Sequence, residues 1–111
     1  MKLIASKSTL GGTVSIPGSK SHTIRGIAIA SLAEGESIIR NPLISSDTLS
    51  AVQCYRGLGA TIDTSCAETW KIIGTSGKIR PEGRTINVGN SGTTLRVAMG
   101  SAALVDKGLT V

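Results

Sequence analysis

The sequence predicts an α/β (α+β) layered fold built from repeated βαβαββ units. Three observations carry that expectation. Short β-branched segments alternate with Ala-rich segments whose apolar residues recur at helical spacing. The pattern returns after 71 residues, with Gly18–Arg25 falling on Gly89–Arg96. Among 111 residues there are one Trp, one Tyr and no Phe, so the core must come mainly from Ile, Leu, Val and Ala.

Lys2–Ala5 and Gly12–Ile16 flank the Thr9–Gly12 turn and are expected as two strands, the second stopped by Pro17-Gly18-Ser19. From Ser21 to Leu32, the positions of Ile24, Ile27, Ala28 and Leu32 follow the i, i+3, i+4 rule of an amphipathic helix, closed by Glu34-Gly35. Ser37–Arg40 is a short strand ended by Asn41-Pro42. Asp47, in the Ser45-Ser46-Asp47 cluster, is expected to cap a helix over Thr48–Leu58, with Leu49, Val52 and Tyr55 inward and Gly57 and Gly59 closing it. Ala60–Thr64 and Trp70–Gly74 form a hairpin around Ser65–Glu68. Thr75–Arg84 is a polar Gly/Pro loop, Thr85–Val88 a strand and Gly89–Gly92 a turn. A helix over Thr93–Leu104 follows, with Leu95, Val97, Ala98, Met99 and Ala102 inward. Gly108–Val111 is an apolar β-type stretch without a polar tail. The 111 residues are therefore expected to be a piece of something longer.

Composition excludes several classes. An apolar fraction of 40% is too high for a disordered tail. No run approaches the ~18 apolar residues that span a membrane, and no signal-peptide pattern is visible. Two Cys without a secretory signal argue for a reducing compartment, here the cytoplasm. The net charge of +5 comes from 12 basic and 7 acidic residues. The basic residues are scattered and no aromatic platform accompanies the Lys78–Arg84 cluster, so the charge reads as a generic basic surface rather than a nucleic-acid site, and a small anionic substrate would suit it equally. His22 is the only His, which leaves no multi-His metal site. Cys54 reads as buried and inert. Cys66 has no activating base nearby, and no carboxylate pair is spaced for acid–base work.

The chemistry concentrates at two helix starts. A helix N-terminus offers unsatisfied N–H groups and a partial positive charge, and small residues before it let an anion approach. In the first copy Lys20, Ser21 and Arg25 supply an ammonium, a hydroxyl and a guanidinium, with Arg25 on the face of Ser21 one turn along. Equally, Ser21 could be an ordinary N-cap beside solvated cations. In the second copy Asn90, Ser91 and Gly92 form the turn, Thr93 or Thr94 can cap, and Arg96 points to a ligand or to solvent. Each copy fits one strand–turn–helix of a unit about 70 residues long.

Pro17-Gly-Ser-Lys-Ser21 with Arg25, Asp47-Thr48 before Leu58-Gly59-Ala60, and Val88-Gly-Asn-Ser-Gly-Thr-Thr-Leu-Arg96 together resemble the N-terminal part of the 5-enolpyruvylshikimate-3-phosphate synthase family. The resemblance covers essentially the whole chain. It implies two similar domains of βαβαββ units with the active site between them. Residues 1–17 would belong with the second domain, and residues 18–111 would form about one and a half units of the first. It implies transfer of the enolpyruvyl group of phosphoenolpyruvate to the 5-hydroxyl of shikimate 3-phosphate, with release of phosphate, in a monomeric cytoplasmic enzyme. No metal, cofactor, nucleic acid or membrane is implied. By position Lys20 would contact both substrates, and Ser21 and Arg25 would bind shikimate 3-phosphate. Asn90, Gly92 and Thr93 would belong to the phosphoenolpyruvate site, where glyphosate also binds in the family. The acid and base groups would lie beyond this chain, and the piece alone would be inactive. Ile24 departs from the family, many of whose members carry Asn or His there. Two other readings compete: UDP-N-acetylglucosamine enolpyruvyl transferase, which usually has Lys-Asn where this chain has Lys20-Ser21, and a non-catalytic phosphate- or nucleic-acid-binding module.

Overall fold

A computed structural model describes residues 1–106 and 108–111; Lys107, one of the scattered basic residues, lies outside them. Among the described residues the elements run α1 (Lys20–Leu32), β1 (Glu36–Arg40), α2 (Ser46–Gly57), β2 (Thr61–Cys66), β3 (Thr69–Ile73) and α3 (Gly92–Ala102). The strands form one antiparallel sheet in the order β1-β3-β2. Ile39 of β1 lies opposite Trp70 of β3, and Ile62 of β2 lies opposite Ile72.

The two-residue period of a strand decides which side is covered. Trp70 and Ile72 of β3 are buried, while Lys71 and Ile73 face outward. Helices α1 and α2 cover the apolar side, and α3 packs on α1 and α2 rather than on the strands. The result is a stack of sheet, helix pair and third helix. Ile24, Ile27, Val52, Leu58, Ile62, Ile72 and Ala98 fill the interior. Tyr55 and Trp70 are each 1% exposed, so the two aromatics sit within the aliphatic core rather than outside it. The Tyr55 hydroxyl and Ser101 Oγ are 2.9 Å apart, a hydrogen bond that ties α2 to α3 inside the apolar layer.

The helix ends are set by particular partners. Gly59 takes a left-handed φ of +104° behind α2, as the small residue after a helix should. At the end of α1 the exposed carbonyls are taken up by the segment after β3. Ser31 O accepts from Thr75 N, Leu32 O from Gly77 N and Ala33 O from Ser76 N, at 2.8, 2.9 and 3.0 Å.

Several expectations need correction. Residues 1–17 form neither helix nor strand; Leu3, Ile4, Leu10, Val14 and Ile16 are each at least 80% exposed and have no sheet partner. Thr85–Val88 is reduced to a single parallel bridge, Thr85 with Thr110, because nothing extends the ladder. Leu49 and Met99 are 43% and 58% exposed rather than inward. On α2 the buried stripe runs through Thr48, Ala51, Val52 and Tyr55, which turns Leu49 to the side. On α3 only Thr94, Ala98 and Ser101 are fully buried, and Leu95, Val97 and Ala102 are half-buried.

Candidate anion site at the helix starts

The start of α1 is held by its neighbours before any ligand is considered. Ser19, not Ser21, is the N-cap, accepting from His22 N at 3.4 Å, and Thr23 Oγ1 donates back to Ser19 O at 2.9 Å. Leu43 N donates to Thr23 Oγ1 at 3.0 Å, which joins α1 to the loop after β1. A Cβ on Gly18 would stand 2.5 Å from Asn41 O and 3.0 Å from Leu43 N. Glycine is therefore needed at position 18 for chain packing, a reason independent of any anion.

Freed from capping, Ser21 lies half-buried on the first turn, and Arg25 and His22 are exposed. Lys20 opens the helix. Its Nζ donates to Asp47 Oδ2 at 2.5 Å, the single ion pair among the described residues. Asp47 is not the cap of α2. Ser45 caps it, accepting from Thr48 N at 3.3 Å, while Thr48 Oγ1 accepts from Ser45 N at 2.9 Å. The Ser45-x-x-Thr48 spacing was the available signal that Asp47 had other work, and the Lys20–Asp47 pairing is the feature that sequence reasoning missed.

At α3 the cap is Ser91, with neither Thr93 nor Thr94 in that role. Ser91 is 2% exposed, and its Oγ accepts from Thr94 N at 3.2 Å and from Thr94 Oγ1 at 2.7 Å. Gly89 adopts φ +59°, and a Cβ there would meet Ser50 Oγ at 2.5 Å. Its N–H donates to Asn87 Oδ1 at 2.8 Å. Gly92 is exposed, and the one group near its missing Cβ is Arg96 Nη1 at 3.4 Å. Arg96 donates to Gly92 O at 3.2 Å, so it is tied to its own first turn. Asn90 is exposed and Thr93 half-buried.

Helix α2 is the common support. Asp47 on its first turn holds Lys20 of α1, and Ser50 one turn later carries the Gly89 turn that leads into α3. The structure thus ties Lys20 to the first turn of α2 through Asp47 and the Gly89 turn to the same helix through Ser50, while Ser21, Arg25, Asn90, Gly92 and Thr93 make no hydrogen bond to α2 among the described residues. Each helix start, with its partial positive charge and a basic side chain in its first two turns, is of the kind that suits phosphates and carboxylates.

The described residues offer no group of three His, Cys, Asp or Glu placed to hold a metal. No described helix is long and apolar enough to cross a membrane. Burial pushes the Cys54 thiol up to about 11, which makes it a poor nucleophile at neutral pH.

Comparison with known proteins gives this geometry a family. The sequence model of EPSP synthase (3-phosphoshikimate 1-carboxyvinyltransferase) matches residues 4–111. A 3-phosphoshikimate 1-carboxyvinyltransferase of Ruminiclostridium cellulolyticum is 48% identical over 106 residues, covering 96% of this chain and 25% of the relative. One from Acetivibrio thermocellus is 52% identical with the same coverage. An EPSP synthase structure from Acinetobacter baumannii superposes with TM-score 0.74 at 28% identity, over 82% of this chain and 21% of that one. The chain spans about a quarter of the length of the curated relatives it matches. With its mixed helix–sheet unit and both helix-start motifs in place, the chain belongs to the EPSP synthase (3-phosphoshikimate 1-carboxyvinyltransferase) family.

Proposed function

We propose that the chain carries part of the substrate site for enolpyruvyl transfer from phosphoenolpyruvate to the 5-hydroxyl of shikimate 3-phosphate, with release of phosphate. The observation that carries the reading is the exposed start of α3 at Gly92, in a chain whose α1 start also bears Lys20 and Arg25. Both substrates are small phosphate- and carboxylate-bearing anions, which is the chemistry such helix starts receive.

In this reading the Lys20 ammonium contacts both substrates, and Ser21 and Arg25 hold shikimate 3-phosphate. Asn90, Gly92 and Thr93 receive phosphoenolpyruvate through the first turn of α3, where glyphosate competes. Residues 1–17 pair with a second domain, and residues 18–111 belong to the first. General acid and base groups come from elsewhere in an enzyme of the relatives' length, which works in the cytoplasm as a monomer without metal or cofactor.

The test uses a protein of the relatives' full length that carries this segment. Lys20→Ala and Arg25→Ala should each cost about 3 kcal/mol or more in kcat/KM. Wild-type turnover in both variants would sink the reading. The 111-residue chain alone should release no phosphate from the two substrates.

A further inference from the structure

We propose that Asp47 is a positioning residue for this transfer, its carboxylate fixing the Lys20 ammonium between the starts of α1 and α2 so that ligand anions meet it in place. The proposal rests on the reading of Lys20 as a substrate contact.

Asp47 has no other task in its own helix. The Ser45–Thr48 capping box already satisfies the start of α2, and the recorded hydrogen bond of the Asp47 carboxylate goes to Lys20. Its backbone is anchored, because Thr48, Ala51 and Val52 on the same helix are at most 1% exposed. The Asp47 side chain is 21% exposed and that of Lys20 48%, so the carboxylate is the seated partner and the ammonium the accessible one.

A lysine side chain is a flexible four-carbon stem with three donors. One N–H given to Asp47 removes much of its rotamer freedom and leaves two donors for ligands, which is the preorganisation that catalysis rewards. The field at the start of α2 stabilises the carboxylate in this role. The competing account is an ordinary surface ion pair, which contributes little to anything.

The two accounts separate in a double-mutant cycle on a full-length protein carrying this segment. Asp47→Asn keeps the side-chain shape and removes the charge. It should lower kcat about tenfold or more and shift KM for phosphoenolpyruvate less than about threefold, since the freed ammonium still attracts the anion. In a Lys20→Ala background, Asp47→Asn should have no further effect. Asp47→Glu keeps the charge and should recover most of the lost kcat.

Ser45→Ala is the control for a weakened α2; it should lower the melting temperature and leave kcat unchanged. An Asp47→Asn enzyme with wild-type kcat would overturn the proposal. So would a tenfold loss that persists in the Lys20→Ala background. If Lys20→Ala itself has wild-type turnover, the reading of Lys20 fails and Asp47's role goes with it. If Lys20→Ala is impaired and Asp47→Asn is not, only the Asp47 proposal fails. A second measurement needs no variant. In the native protein, acetic anhydride should modify Lys20 at least fivefold more slowly than the exposed Lys71 and Lys78, and equal rates would overturn the pairing.

Discussion

Ile24 and Arg25 are neighbours in sequence and face different surroundings on α1. Ile24 is fully buried in the core, and Arg25 is exposed. The apolar residue at position 24 therefore serves packing and takes nothing from the exposed face of the helix. Ile24→Asn would bury an amide without a partner and lose the aliphatic contacts, so it should cost about 3 kcal/mol or more. Urea unfolding would measure the loss, and a cost near zero would contradict the buried position. Cys54 provides a pH-dependent counterpart. Its thiol is 1% exposed, and burial raises its pKa from 9.0 to about 11. Between those values the folded protein keeps a proton that the unfolded chain has released. The stabilising contribution is full below pH 9 and is lost as pH rises toward 11. Tyr55, raised chiefly by burial, acts in the same direction at higher pH. The urea midpoint of the wild type should therefore fall across that window, and more steeply than that of Cys54→Ala. Parallel curves would refute the assignment.

The glycines show how elements constrain one another. Gly74 follows β3 against the end of α1, where a Cβ would collide with Ala33 O and lie 2.5 Å from Ala30 O. Both are backbone atoms that accept helix-end hydrogen bonds or sit beside them, so the clash has no cheap escape. Gly74→Ala should destabilise by about 2 kcal/mol or more. Gly92 is the opposite case. Its missing Cβ meets nothing closer than Arg96 Nη1, and alanine is the better helix former. Gly92→Ala should leave the melting temperature unchanged or slightly raised and should raise KM for phosphoenolpyruvate several-fold in a full-length protein. A clear drop in melting temperature would place the glycine's importance in packing instead.

The same contrast explains what was legible in the sequence. Helical spacing located α1, α2 and α3 to within a residue or two, and β-branched runs located the hairpin. The repeat shows only partly in burial: a shift of 71 residues sets Thr23 on Thr94, Ile27 on Ala98 and Ala30 on Ser101, all buried, but also buried Ile24 on half-buried Leu95 and buried Ala28 on exposed Met99. The caps do not follow it. Ser19 falls on Asn90, yet Ser91 caps α3, because the turn before α3 is fixed by Gly89 against Ser50 rather than by a Gly18-like contact with Asn41. Caps depend on which loop is packed behind them, and that information is non-local. The placement of Lys20, Ser21, Arg25, Asn90 and Gly92 at or beside helix starts was legible from the turn and helix pattern. The Lys20–Asp47 pair was not, because it joins residues on different helices.

At the scale of the whole molecule the dimensions disagree with a compact body of this length. A globular domain of 111 residues has a radius of gyration of about 13 Å, and this chain has 17.4 Å with a longest extent of 60 Å. The excess lies in residues 1–17. They join no sheet, and the β-branched Val14 and Ile16 are exposed at 81% and 80%. The second copy shows what such a segment does when it has a partner: Thr85 bridges Thr110, and one repeat earlier the same positions are Val14 and Ile39, which do not pair. A segment with high β propensity, exposed apolar residues and no ladder contributes little to the stability of the rest and offers surface for association. Removal of residues 1–14 should therefore change the melting temperature by less than about 2 °C. It should also reduce concentration-dependent self-association in sedimentation velocity. Trypsin should cut after Lys2 and Lys7 well before Arg56, whose guanidinium donates to Ile62 O at 2.5 and 3.1 Å. A large fall in melting temperature on truncation, or protection of Lys7, would mean that the segment packs on the body, and the expanded dimensions would then need another cause.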